Sequence, residues 1–286
     1  MIKTMGGLRL KNRTLRQPLI TIITVIKNNK KTIDRTINSV IKQTYSNFEY
    51  IIIDGGSTDG TLEIIKKYDK FIDYWVSESD KGIFDAMNKG VLLARGKYVQ
   101  FLNSDDYLIS RKSLGNIVQY FKGKLDILSF ELVKEMNGRV LSISPKHKIG
   151  LSDLRKGGTL PHPSTFMKTK LIKELGLFDV SYKIAGDNDL FYRASLKKDI
   201  KILQVNKIIV IFHLGGISSN AFAKFIEVTR ALNKNFGKLP ALRYFFIDLP
   251  KVVAEEILDM CGLLKYVKRI KENLQTNSLS PFLLSG

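Results

Sequence analysis

Four short apolar runs recur early in the chain: Leu19–Val25, Tyr50–Ile53, Ile72–Val76 and Tyr98–Leu102. Each is short, rich in β-branched or aromatic residues and mostly apolar, which reads as a strand covered on both faces. The segments between them carry the other period. Ile33, Ile37, Val40 and Ile41 line one face of a helix over Thr32–Gln43. Leu62, Ile64 and Ile65 lie on a second helix, for which Ser57 or Thr58 is the expected N-cap, and a third covers about Phe84–Ala94. Strands alternating with helices at this spacing predict an α/β fold of βαβ units, a parallel sheet with helices on its faces. Such sheets bind ligands beyond the carboxyl ends of their strands. Asp54 and the Asn103–Asp106 cluster both fall there.

The pattern loosens after Asp106. Ile127–Val133 and Val140–Ile143 read as strands of a more irregular half, Lys146–Pro163 as a loop, Asn188–Leu196 as a short helix and Ile208–Phe212 as a last strand. From Ala221 onward the chain reads as helical, broken near Gly237–Pro240 and at Pro250, with a frayed tail over Thr276–Gly286.

Charge narrows the partners. The chain of 286 residues holds 46 Lys and Arg against 27 Asp and Glu, a net +19. Such a chain suits polyanions: nucleic acid, phosphorylated ligands or an anionic membrane surface. Cysteine-based zinc sites and disulfide frameworks are excluded, because Cys261 is the one cysteine. With only His147, His162 and His213 present, a three-histidine metal site is disfavoured. No run of about 18 uncharged apolar residues exists, so no membrane-spanning helix is expected. Met1 to Gln17 is basic, with Lys3, Arg9, Lys11, Arg13 and Arg16, and has no apolar centre; it reads as a flexible arm and not as a signal peptide. These features suggest a cytoplasmic protein.

Three stretches carry chemistry. In Phe101-Leu102-Asn103-Ser104-Asp105-Asp106 a strand ends in adjacent carboxylates. Such carboxylates repel one another unless a cation or water is present, and hard oxygen ligands suit Mg²⁺ or Mn²⁺. A solvated turn capping the next helix explains the same residues. Ile53-Asp54-Gly55-Gly56-Ser57-Thr58-Asp59-Gly60 reads either as a ligand approach or as a plain strand-to-helix turn. A dinucleotide fold is rejected, because its glycine signature belongs after the first strand, where Ile26-Lys27-Asn28-Asn29 stands. In Ala185-Gly186-Asp187-Asn188-Asp189, Asp187 falls at a helix start, where the dipole favours an anion. It serves there as a proton acceptor for a hydroxyl or as an N-cap.

Together and in order, these stretches resemble the family 2 glycosyltransferases of the bacterial polysaccharide-building type. The resemblance runs from about Pro18 to Ser219. It is carried by Thr21-Ile22-Ile23-Thr24 with Asn28, Ser39 to Thr44, Ile53 to Thr61, Glu78 to Asn88, Ala94-Arg95-Gly96 and Phe101 to Asp106. It implies the GT-A fold, a Rossmann-like, mostly parallel sheet flanked by helices. It further implies an inverting transfer of a hexose or N-acetylhexosamine from a nucleotide-diphosphate sugar to a hydroxyl of a glycan or of a polyprenyl-pyrophosphate-linked glycan.

Roles follow from the resemblance. Asp54 is expected to contact the nucleotide, and Asp80 and Lys81 to line the donor pocket. Asn103-Ser104-Asp105 stands at the metal-binding DXD motif, with Asp105 the first ligand of a Mg²⁺ or Mn²⁺ ion, Asp106 its support and His213 a further contact. Gly215 and Gly216, in His213-Leu214-Gly215-Gly216-Ile217-Ser218, belong to a loop closing over the diphosphate. Asp187 stands at the catalytic base and His162 at the acceptor approach. For His213 and His162, hydrogen-bonded or loop-packing roles explain the residues equally. Three positions depart from the family pattern: Asn103 for the first Asp of DXD, Gly55 for the second Asp of an Asp-Asp-Gly-Ser form, and Gly186 for the acidic partner of Asp187.

The resulting organisation is an arm over 1–17, a GT-A domain over 18–219 and a helical region over 220–286. The GT-A domain divides into a nucleotide-sugar half (18–106) and an acceptor half (107–219). In the last region, Leu249, Val252, Val253, Ile257, Met260, Leu264 and Val267 form an apolar stripe, followed by Lys265, Lys268, Arg269 and Lys271. It reads as a helix packed on the catalytic domain or as one lying on the inner leaflet of the plasma membrane. The competing functions are a non-catalytic nucleotide-sugar binder and a nucleic-acid-binding protein. No nucleic-acid motif supports the second, so nucleic acid is not an expected partner.

Overall fold

The computed structural model describes residues 3–11, 17–136, 138–145, 148–215 and 220–260, with backbone alone at 248, 251–253 and 255–260. The strands are β1 (Thr4–Gly6), β2 (Ile20–Ile26), β3 (Phe48–Asp54), β4 (Tyr74–Ser77), β5 (Tyr98–Phe101), β6 (Tyr107–Leu108), β7 (Ile127–Met136), β8 (Arg139–Ser144), β9 (Thr165–Lys168) and β10 (Ile202–His213). The helices are α1 (Leu8–Lys11), α2 (Ile33–Ile41), α3 (Thr61–Lys67), α4 (Ile83–Leu93), α5 (Ser113–Ile117), α6 (Leu151–Leu154), α7 (Thr169–Glu174), α8 (Gly186–Leu196), α9 (Ala221–Phe236) and α10 (Lys238–Met260).

One sheet runs through the molecule in the order β1-β4-β3-β2-β5-β9-β7-β10-β6, with β8 paired to β7. Strands β4, β3, β2 and β5 are parallel, as the alternating pattern predicted. β9 is antiparallel to both β5 and β7, and β10 is parallel to β7. It follows that β2, β3, β4, β5, β7 and β10 all point the same way. Their carboxyl ends, and the start of β9, lie along one edge of the sheet.

The core has two layers, one on each face. Successive residues of β2 and β3 alternate between them: Ile22, Ile26, Tyr50 and Ile52 pack with α2, α3 and α5, while Ile23, Val25, Ile51 and Ile53 pack with α4, α8 and α9. This double cover is why β2 is buried along its whole length and reads as a continuous apolar run.

Besides α10, which runs on through Pro250 where a break was expected, the structure differs from the sequence reading at three further places. The N-terminal arm is not free over its described part. Thr4–Gly6 add an antiparallel strand to the edge of β4. Arg9 pairs with the buried Glu49, Lys11 with Asp69 and Lys3 with Glu78. Of the basic residues that suggested a solvated arm, Lys3, Arg9 and Lys11 are the counter-charges of acids far along the chain, and Arg13 and Arg16 lie outside the described residues. Second, the N-cap of α3 is neither Ser57 nor Thr58 but Gly60, at φ 99°. Asp59 supplies the oxygen, accepting from the Thr61 N–H at 3.0 Å. Third, the segment expected as a loop over 146–163 contains α6, and the short β9, unpredicted, inserts between β5 and β7.

Candidate active site

The loops after β2 and β3 are stitched together by short polar side chains. Asn28, in the left-handed region at φ 52°, donates its N–H to Ser57 Oγ at 2.7 Å and accepts from the Thr58 N–H at 2.8 Å. Asp54 is fully buried. Its carboxylate accepts from the Ser57 N–H at 3.1 Å, from Ser57 Oγ at 2.5 Å and from Ser77 Oγ at 2.5 Å. In this structure the Asp54 oxygens are engaged within the protein, and the carboxylate shapes the turn that follows.

Gly55, where the family pattern has an Asp, lies under the next carboxylate. A Cβ at Gly55 would overlap Asp80 Oδ2. The absence of a side chain is what lets Asp80 close over the β3 turn, with the Gly82 N–H on its other oxygen at 3.0 Å. Asp80 stays partly exposed and Lys81 fully so, at the rim where the donor pocket was expected. Asn88, at the end of the Glu78–Asn88 stretch, faces elsewhere. Its amide clasps the backbone of Phe178 in both directions, at 2.8 and 2.9 Å, and ties α4 to the segment leading to α8.

The Asn103–Asp106 turn is built by α2. Thr32 and Thr36 hydroxyls donate to the Ser104 carbonyl, Thr36 also to that of Asp106, and Arg35 to that of Asp105. Asn29 donates to Ser104 Oγ at 2.9 Å, so Ser104 is buried as a structural contact. Asp106 is fully buried and accepts the His213 N–H at 3.1 Å, fixing the end of β10. Burial pushes its carboxyl well above the usual range, and the charge of Asp105 pushes the same way. Asp105 remains partly exposed; burial raises its pKa too, offset in part by His213 and Arg35.

The expected ligand trio Asp105, Asp106 and His213 is corrected by this arrangement. Asp106 is turned inward, and among the described residues no three His, Cys, Asp or Glu side chains converge as a metal cage. A cation that keeps waters and takes oxygens from substrate phosphates needs only one or two carboxylates. The surroundings of Asp105 fit that case. Asn103 Oδ1, Asp106 Oδ2, Glu135 Oε2 and His213 Nδ1 are buried without hydrogen-bond partners in the protein, a local excess of lone pairs. Glu135 was missed in the sequence, where it is one acid in a strand. The parallel register sets it directly beside His213, with Nδ1 3.6 Å from Oε2. Gly215 is exposed at φ 125°, and Gly216 lies outside the described residues.

The base side forms around His162. Its ring lies against Phe101 (5.2 Å between centroids), Phe178 and Phe191, with one edge still accessible. Burial pushes its pKa below the ordinary histidine range, against the pull of the Asp187 carboxylate. That pull places the two residues expected at the acceptor side within electrostatic reach of each other. Asp187 sits in the first turn of α8, partly exposed, accepting only the Asn188 N–H at 2.8 Å. Gly186 is also a close approach: a Cβ there would meet the Phe84 ring at 2.7 Å.

The topology thus brings Asp80, Lys81, Asp105, His162, His213 and Gly215 to one edge of the sheet, and Asp187, at the start of α8, lies within electrostatic reach of His162. The family model described as Glycosyl transferase family 2 matches residues 21–192. A UDP-Glc:alpha-D-GlcNAc-diphosphoundecaprenol beta-1,3-glucosyltransferase, WfaP of Escherichia coli, is 28% identical over 241 residues, covering 80% of this chain and 93% of the relative. Two solved structures share the fold. S. aureus TarS 1-349 in complex with UDP-GlcNAc is 22% identical, with TM-score 0.65 over 80% of this chain and 73% of that one. A mannosyltransferase from Pyrobaculum calidifontis, in complex with GDP-Man and Mn²⁺, is 16% identical, with TM-score 0.57 over 92% of this chain and 85% of that one.

Proposed function

The chain belongs to glycosyl transferase family 2 and is a glycosyltransferase of GT-A fold, and from that premise we propose that it transfers a hexosyl or N-acetylhexosaminyl group, with inversion, from a nucleotide-diphosphate sugar to a hydroxyl of a lipid-linked glycan. The observation that carries the reading is Asp187 itself: it is partly exposed in the first turn of α8, accepts among the described residues a single local hydrogen bond, and lies within electrostatic reach of His162. A general base must keep a free oxygen for the incoming hydroxyl, and Asp187 does. The relative that acts on a diphosphoundecaprenol-linked sugar supports the acceptor class. UDP-GlcNAc in a structural neighbour supports the donor class.

In this reading Asp187 takes the acceptor proton as the oxygen attacks the anomeric carbon from the face opposite the leaving diphosphate. One in-line displacement inverts the centre. His162 packs the acceptor approach and, held neutral by burial, leaves the negative charge of Asp187 uncompensated. Asp80 and Lys81 line the donor side. Asp105, with His213 beside it, holds a divalent cation; when bound, that ion stabilises the charge developing on the leaving phosphate.

No described helix is long and apolar enough to cross a membrane. A leaflet-bound position for the C-terminal region is supported by α10, where Leu239, Leu242 and Phe246 stand exposed at helical spacing beside Lys238 and Arg243. α9, by contrast, packs on the catalytic domain through Val228, Ala231 and Leu232, while its Phe225 lies against Tyr244 and Phe245 of α10. The stripe from Val252 onward and the basic cluster at 265–271 lie outside the described side chains.

Transfer from a panel of nucleotide sugars to a synthetic GlcNAc-diphospho-lipid, with and without Mn²⁺, tests the main reading. Turnover of one donor with inverted product is expected; a retained configuration would overturn it. Flotation with anionic vesicles at low salt tests the leaflet reading. A Leu242→Asp, Phe246→Asp variant that floats as well as the unaltered chain would refute it.

A further inference from the structure

α8 starts without a cap of its own. Its N-cap residue is Ala185, which has no side-chain oxygen, and position 186 is a glycine pressed against Phe84. The approach from Asp179 to Ala185 must nonetheless be fixed if Asp187 is to meet a substrate. The backbone N–H groups of Lys183, Ile184 and Ala185 point together, and each needs an acceptor.

Glu227 provides it from α9. Its carboxylate accepts the Lys183 N–H at 2.9 and 3.1 Å, the Ile184 N–H at 2.8 Å and the Ala185 N–H at 2.9 Å. The neighbours of Glu227 on the same face of α9 grip the same segment. Arg230 donates to Ser181 Oγ at 2.6 Å and lies over the Tyr182 ring at 4.0 Å. Lys234 bridges Asp179 at 2.8 Å and Asp189 at 3.1 Å, and Asn235 donates to Asp189 at 3.0 Å. Positions 227, 230 and 234 follow the i, i+3, i+7 spacing of one helical face. That face is polar and devoted to residues 179–189, while the apolar face of α9 goes to the core.

We propose that Glu227 is a positioning residue for the transfer: by collecting the N–H groups of residues 183–185 it fixes the angle at which α8 presents Asp187, and it supplies from α9 the carboxylate that position 186 lacks. The proposal rests on the reading of Asp187 as the base. The charge of Glu227 also lies at the positive end of the α8 dipole, where an anion steadies the first turn. An acid at position 186 and the Phe84 ring compete for one space, so the carboxylate arrives through the tertiary fold instead.

The test uses the full chain with Glu227→Ala, Glu227→Gln and, as a control on α9 docking, Lys234→Ala. Amide hydrogen exchange over residues 183–187 is read together with transfer kinetics, using the donor that the panel above turns over. Glu227→Ala is expected to speed exchange at 183–185 at least tenfold. It should lower kcat by roughly 10- to 100-fold, the scale of an ångström of misplacement, with donor KM within about twofold. Glu227→Gln falls between, since one amide oxygen still accepts. Unchanged exchange at 183–185, a donor KM that rises while kcat holds, or an equal kcat loss in Lys234→Ala would each overturn the proposal. Failure of the underlying reading looks different: Asp187→Asn would then keep full turnover, whereas the exchange response to Glu227→Ala would persist.

Discussion

The loop after β3 and the loop before α8 are both turned by a carboxylate that gathers N–H and O–H groups, but the carboxylates come from different distances. Asp54 holds Ser57, three positions away, and Ser77 on the adjacent strand. Glu227 holds residues 42 to 44 positions away, from a helix that lies beyond the matched residues 21–192. The donor-side turn is therefore fixed by its own sheet and its own motif. The turn before Asp187 depends instead on a helix outside the residues that the family model matches, so its geometry rests on a contact between distant parts of the chain.

Five measurements would break or sharpen that contrast, in order of expected effect. Asp187→Asn should cut kcat by about 10²- to 10⁴-fold with donor KM near normal, as measured by steady-state transfer. Equal turnover would leave the base side without a function to present. On the donor side, Asp105→Ala should weaken donor binding and abolish its response to added Mn²⁺, read by titration calorimetry with the active donor; a response kept in full would move the cation elsewhere.

Ser57→Ala combined with Ser77→Ala takes two hydroxyl donors from the buried Asp54 carboxylate and leaves it the N–H of residue 57. A loss of about 1–3 kcal/mol in urea unfolding is expected, with kcat little changed once the protein is folded. Gly186→Ala, which drives a Cβ toward the Phe84 ring, should cost about 1–3 kcal/mol by the same assay and lower kcat as well, because it tilts α8.

The smallest effect is a pH dependence. Burial acts to raise the Asp179 pKa, but the hydrogen bonds from Lys234 and Ser181 outweigh it and hold the carboxyl well below its usual range. A depressed carboxyl contributes stability above its unfolded pKa of about 4, and that contribution is lost as pH falls through the folded value. Between about pH 4 and 2 the unaltered chain should lose up to about 1 kcal/mol more than Asp179→Asn in urea titrations. Parallel curves for the two proteins would remove Asp179 from the clasp.

Much of this was legible before folding. The runs around β2, β3, β4 and β5 announced themselves because strands covered on both faces are apolar on both, with few polar interruptions. Asp105 and Asp187 stood out because they stand in order with the other stretches of the family pattern; a turn or an N-cap explains each of them alone. Where the Asp54 oxygens point was not legible: a motif records that an acid is needed, not whether its oxygens face a ligand or a serine. Nor was the direction of Asp106, which sits in a turn and is aimed by a tertiary contact with the His213 N–H.

By itself the sequence determined the mostly parallel α/β class and the family, and singled out candidate positions for the chemistry, because each is written in local period and local order. Only the tertiary structure decided which of those acids stay available. It docked the basic arm on Glu49, Asp69 and Glu78, set Glu135 beside His213, and brought Glu227 to the amides ahead of Asp187. Those pairings join residues tens of positions apart, and no periodicity records them. They are fixed by the requirement that buried charges and amides find partners, which a chain can meet only once its strands and helices have packed.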